Sequence, residues 1–142
     1  MCIRDRAYTA LKGNVDAVWV ANDANAASVI AILDKNGKKV PVSGQDASIA
    51  GLQNILLGKQ TGTVYKPFQK EADQAGKLAV DLLNGKKPTA PSESDGVPFF
   101  NETPILVTNA DGIKQVISDG NATATDICKG DAQAACDKAG IK

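Results

Sequence analysis

The chain has 142 residues, 43% hydrophobic and 23% charged, the balance of one modest globular domain with a real core. Sixteen basic and sixteen acidic residues give zero net charge, so nothing electrostatic points to nucleic acid or an anionic membrane. No histidine is present, which removes the commonest general base and metal ligand, rules out a Ser-His-Asp triad or a Cys-His pair, and points away from an enzyme.

Residues 1–6, MCIRDR, carry two arginines and a cysteine and lack the apolar stretch of a signal peptide. They read as a non-native tail, with a genuine N-terminal tail as the alternative. Residues 7–12 read as the end of a helix, closed by Gly13-Asn14. Residues 15–21 form an apolar run with valines and Trp19, which predicts a strand buried on both faces with Trp19 in the core; the alternative for Trp19 is an aromatic that stacks on a ligand. Helical spacing of Ala26, Val29, Ile30 and Leu33 predicts a helix over 25–35, closed by Asn36-Gly37. Residues 40–43 predict a second buried strand. Ile49, Leu52, Ile55 and Leu56 mark a helix over 47–57, ended by Gly58, and 61–65 a third strand.

Pro67 suits the first position of a long amphipathic helix over 68–84. Residues 86–96 are a polar, proline-rich loop. Two apolar stretches follow within 97–107, then a short helix over 111–118 and a helical turn or two in 126–142. Strands alternating with helices predict an α/β fold with a parallel sheet and flanking helices. Cys128 and Cys136 would close a short disulfide loop in an oxidising compartment; the alternative is two free thiols. Without histidine, and with Cys2 the one further cysteine, they make no zinc site. Asn101-Glu-Thr103 and Asn121-Ala-Thr123 match the glycosylation sequon, a pattern short enough to arise by chance.

Three apolar runs end in polar residues: DAVWVAND at 16–23, VPVSGQD at 40–46 and GTVYK at 62–66. Ligands of open α/β sheets bind beyond the carboxyl ends of the strands. Asn22, Asp46 and Lys66 are therefore expected at one sheet edge as a binding set for a polyhydroxylated molecule. A carboxylate accepts from two hydroxyls, an amide both donates and accepts, and an ammonium donates three times. The alternative for Asn22 and Asp46 is to cap the helices that follow them; between Asn22 and Asp23, Asp23 is read as the cap, and Tyr65, facing away from Lys66, as packing.

The segments VDAVWVAND, VPVSGQDASIAGLQNILLGKQTGTVYKPFQKEADQAGKLAVDLLNGKKP and TPILVTNADGIKQVISDG resemble the sugar-binding type I periplasmic binding proteins of ABC importers, closest to the D-xylose-binding subgroup. The resemblance covers roughly residues 11–120. It implies the C-terminal half of a two-lobe fold, with residues 7–66 as part of the C-terminal lobe. Residues 67–98 would be a hinge crossing and a helix that packs on the N-terminal lobe, and 99–142 the return crossing and the end of the C-terminal lobe. It also implies sugar contacts at Asn22, Asp46 and Lys66, a monosaccharide ligand, an ABC permease as partner, and no nucleic acid, metal or cofactor. The expected location is the periplasm, or a lipid anchor at the outer face of the membrane. The signal sequence and most of the N-terminal lobe are expected to lie outside this sequence. The alternative is the effector-binding region of a lactose-repressor-like regulator, which shares the fold. A flavodoxin-like enzyme is disfavoured, since no phosphate-cradling glycine loop occurs.

Overall fold

The computed structural model describes residues 3–87 and 89–142. Met1, Cys2 and Pro88, in the expected tail and loop, lie outside the described residues. Two compact units form, one from Met1–Tyr65 with Ile105–Lys142 and the other from Lys66–Pro104.

The first unit opens with α1 (Ile3–Ala10), which begins inside the stretch read as a tail. Next come α2 (Asp23–Lys35), α3 (Ile49–Leu56) and β1 (Thr63–Tyr65). Two further extended segments carry sheet pairing. Val18 bridges Val42, and Gln45 bridges Val64, both in parallel. These ladders are shorter than the predicted strands because side chains replace backbone partners at their ends. The Val20 N–H donates to Ser43 Oγ at 2.8 Å, and the Val42 N–H donates to Thr61 Oγ1 at 3.2 Å.

The helices α2 and α3 each join neighbouring parallel segments, and the order advances in one direction. Right-handed crossovers then place both helices on the same face of the sheet. That face is the core. Val20 and Val42 pack with Ala26, Ile30 and Leu33 of α2. Tyr65 and Val107 pack with Leu52 and Ile55 of α3 and with Ile113 and Val116. The last two belong to α5 (Ala110–Ser118), which follows β4 (Ile105–Val107). The strand β4 pairs antiparallel with β1, Val64 opposite Leu106. The 39 residues of the second unit, from Lys66 to Pro104, connect them, so no crossover helix dictates a parallel arrangement.

Within the first unit no described helix covers the opposite face. Strand alternation sends Trp19 and Leu106 there, 87% and 67% exposed. The result is an open apolar trough of about 430 Å³ lined by Trp19, Pro41, Val64 and Leu106 among others. Trp19 is therefore not a core residue, contrary to the expectation, and the segment around it is buried on one face only. Trp19 is also the only tryptophan. Its fluorescence in this chain is expected to be red-shifted and freely quenched by acrylamide. A blue-shifted, quencher-resistant emission would contradict this placement.

The first unit ends in α6 (Ala124–Ile127), a 3-10 turn (Gly130–Ala132) and α7 (Gln133–Ala139). A disulfide joins Cys128 to Cys136, with their Cα atoms 5.7 Å apart. Ile127, Cys136 and Ile141 reach the core, and Gln53 of α3 donates to the Ile127 carbonyl at 2.8 Å.

The second unit holds α4 (Phe68–Leu83) and a hairpin of β2 (Ser92–Ser94) with β3 (Val97–Phe99). Pro67 is the residue before α4 rather than its first residue. The helix buries none of its side chains, and Phe68, Val80, Leu82 and Leu83 are all exposed. The hairpin falls where a loop was expected. Its signal was Asp95-Gly96, whose φ angles of 52° and 76° meet the demand of a tight two-residue turn for positive φ.

Candidate functional site

The carboxyl end of the first extended segment runs directly into α2. Asn22 has extended backbone and caps the helix, its Oδ1 accepting from the Asn25 N–H at 2.9 Å. That bond uses only the oxygen of the amide. Asp23, expected as the cap, is instead the first residue of α2, and its carboxylate turns inward to 1% exposure. The Asn22 oxygen reaches the first turn of the helix, while the Asp23 carboxylate is claimed by the neighbouring loop.

Asp46 sits in that loop, between the second extended segment and α3. Its φ is 97°, and that of Ala47 is 48°. Two consecutive non-glycine residues with positive φ are costly and persist only where their surroundings over-determine them. The Asp46 N–H donates to the Val64 carbonyl at 2.8 Å, and the Ala47 N–H to Thr63 Oγ1 at 3.1 Å. The cap of α3 is Ser48, whose Oγ accepts from the Gly51 N–H at 3.1 Å. Helix capping thus makes no demand on the Asp46 carboxylate. The Asp23 N–H donates to the Gln45 carbonyl at 2.9 Å, so the chain at Asn22 and the chain at Asp46 lie side by side.

Lys66 directly follows β1 in the chain and opens the second unit, with Nζ 5.5 Å from the centre of the Phe68 ring. The preceding Tyr65 is buried, as expected for packing. Burial pushes its hydroxyl above the usual value of 10.0, and the Asp119 carboxylate adds to the shift. Within the first unit the structure therefore brings together Asn22 and Asp46.

Sequence reasoning missed the layer beneath. The Asp23 carboxylate accepts from the Ser48 N–H through Oδ2 and from Gln60 Nε2 through Oδ1, both at 2.8 Å. Gln60 Nε2 also donates to the Gly62 carbonyl at 3.1 Å. The only prior signal was the pair of glycines, Gly44 and Gly51, that leave room for this carboxylate. Among the described residues no three His, Cys, Asp or Glu side chains are grouped to hold a metal ion, and no helix is long and apolar enough to cross a membrane.

A model of the periplasmic binding protein domain matches residues 4–87. The chain is 42% identical over 131 residues to the D-xylose-binding periplasmic protein of Haemophilus influenzae, covering 88% of this chain and 40% of that protein. Its identity to the D-xylose-binding periplasmic protein of Escherichia coli is 43% over 125 residues, covering 83% of this chain and 38% of that protein. The chain thus spans about two fifths of the length of the curated relatives it matches. A carbohydrate transporter solute binding protein from Chloroflexus aurantiacus, solved in complex with D-glucose, superposes with a TM-score of 0.73 at 28% identity, covering 87% of this chain and 39% of that one. An ABC transporter solute binding protein from Clostridium phytofermentans, with bound β-D-glucose, gives 0.74 at 25% identity, covering 87% and 42%.

Proposed function

We propose that this chain, which belongs to the periplasmic binding protein family, is the carboxyl-terminal part of a receptor that captures a monosaccharide for an ABC transporter. D-xylose or a similar sugar is the ligand, held by Asn22, Asp46 and Lys66. The observation that carries this reading is the placement of Asp46. Its carboxylate is mounted on positive-φ backbone at the carboxyl ends of the strands, beside Asn22. A carboxylate there accepts from two adjacent sugar hydroxyls, and the Asn22 amide nitrogen donates to a third.

In this reading residues 7–66 belong to the C-terminal lobe. Residues 67–98 cross at the hinge and carry α4, whose exposed Phe68, Val80, Leu82 and Leu83 suit a partner lobe. Residues 99–142 return to complete the C-terminal lobe. Closure of the two lobes around the sugar would signal occupancy to the permease. Binding and release are the whole task, and no residue is asked to turn a substrate over. The receptor works in the periplasm, free or anchored by lipid at the outer face of the membrane. The named periplasmic relatives favour this reading over a lactose-repressor-like sensor.

The test is calorimetric titration of a receptor that carries these residues at the full length of the matched relatives. D-xylose, D-ribose, D-galactose and D-glucose would be titrated in turn. Micromolar binding of D-xylose, tighter than the other three, is the expected result, corresponding to about 8 kcal/mol. Heat-silent titrations with all four sugars would overturn the assignment.

A further inference from the structure

We propose that Asp23 is a positioning residue of the sugar site, its buried carboxylate holding the loop that presents Asp46. This rests on the reading that Asp46 contacts the sugar. A charged side chain is costly to bury unless it is well bonded. At 1% exposure, Asp23 spends both carboxylate oxygens on fixing one short loop and its anchor. Oδ2 accepts from the Ser48 N–H, and Oδ1 accepts from Gln60 Nε2. Its own N–H donates to the Gln45 carbonyl. Asp23 therefore grips the chain immediately before Asp46 and two residues after it.

Between those grips lie the positive-φ residues Asp46 and Ala47. Each of the two is also held by one bond from its N–H, to Val64 and to Thr63. Without the Asp23 carboxylate, the Ser48 flank of the strained pair is unpinned, and only the backbone bond of residue 23 to the Gln45 carbonyl still holds the other flank. The backbone could then relax toward ordinary φ and re-aim the Asp46 carboxylate.

The surroundings are cut to fit this carboxylate. A Cβ at Gly44 would lie 2.1 Å from Asp23 Oδ1, and one at Gly51 would lie 2.2 Å from Oδ2. Neither glycine has positive φ, so their value here is space rather than conformational freedom. Gln60 supplies a second clue. Its Oε1 is buried without a hydrogen-bond partner among the described residues. In Asp23→Asn, a turn of the Gln60 amide would let that oxygen accept from the introduced amide. The introduced carbonyl would keep the Ser48 N–H. The conservative variant is thus expected to rescue the site, at the cost of the Gln60 bond to Gly62.

The experiment pairs sugar affinity with a sugar-independent view of the loop. Affinity is measured by calorimetric titration of D-xylose into the relative-length receptor. The loop is followed through the backbone amide NMR signals of Asp46 and Ala47. Asp23→Ala, still folded by circular dichroism, is expected to raise Kd about 10- to 100-fold, the range for losing a charge-assisted bond, and to shift both amide signals. Asp23→Asn is expected to stay within about threefold of the parent, a residual set by one lost neutral bond, with both signals near their original positions. If Asp23→Ala fails to fold, Gln60→Met withdraws one donor from the same carboxylate and is expected to move Kd and both signals in the same direction. Unmoved signals in Asp23→Ala, or in Gln60→Met where it stands in, would overturn the proposal. So would an Asp23→Asn variant as impaired as Asp23→Ala. A parent receptor that binds no sugar would instead sink the receptor reading, while the amide signals still decide whether Asp23 holds the loop.

Discussion

Asp46→Ala is expected to raise the Kd for D-xylose at least ~30-fold, because truncating a charged hydrogen-bonding group in a closed site costs about 2–5 kcal/mol. The carboxylate is the proposed bidentate acceptor for the sugar. Its loss leaves hydroxyls that surrendered water without a partner. The φ of 97° at this position complicates the alanine variant, since alanine tolerates the left-handed region poorly. Asp46→Asn separates the two effects. Asparagine accepts positive φ as readily as aspartate and keeps the shape, but it loses the charge and one acceptor. It should melt with the parent and bind about tenfold more weakly, the difference between a charged and a neutral acceptor. Calorimetry beside thermal melting checks both variants. Parental affinity in a folded Asp46→Ala receptor would remove Asp46 from the site.

The second large effect concerns the carboxyl-terminal staple. Replacing Cys128 and Cys136 together by alanine is expected to destabilise the chain by about 2.5 kcal/mol, the chain-entropy value for so short a loop. For a chain of this size that lowers the melting midpoint by ~8 °C. The reason is local. The helices α6 and α7 have four and seven residues, far below the length at which an isolated helix holds in water. They stay in place because Ile127, Cys136 and Ile141 reach the core and because the disulfide closes the turn between them. Without it, the tail pays the full entropy of ordering itself against α3. Thermal melts of parent and double variant, followed by circular dichroism, give the difference. An unchanged midpoint would show that packing alone secures the tail. Alkylation of the native parent is expected to leave Cys128 and Cys136 unmodified.

The sequence by itself determined the family, the α/β class and the order of elements. These depend on local periodicity and on short polar endings of apolar runs, and both are written in the chain. Ala26, Ile30 and Leu33 at helical spacing could face only one way, and they form the buried stripe of α2. The conjunction of AND, GQD and YKP endings carried the resemblance to sugar receptors, and a family model over residues 4–87 agrees with it. What the sequence did not determine was which face each strand presents to the core. An apolar run such as residues 15–21 looks the same whether one face or two are covered. Only the assembled sheet sends Trp19 to the open side, because both crossover helices lie on the other. The antiparallel pairing of β4 with β1 was equally hidden, since strand direction is a property of the connection and not of the strand.

The role of Asp23 was hidden for a related reason. Next to Asn22, at the start of a helix, it reads as a cap, and capping is decided within one turn of chain. Its actual partners are Ser48 and Gln60, 25 and 37 residues away. A hydrogen bond across that distance exists only after the strands align, and no local pattern of residues encodes it. Tertiary structure alone decided that one acid of the pair, Asp46, stands at the strand ends on strained backbone while the other, Asp23, lies buried beneath it.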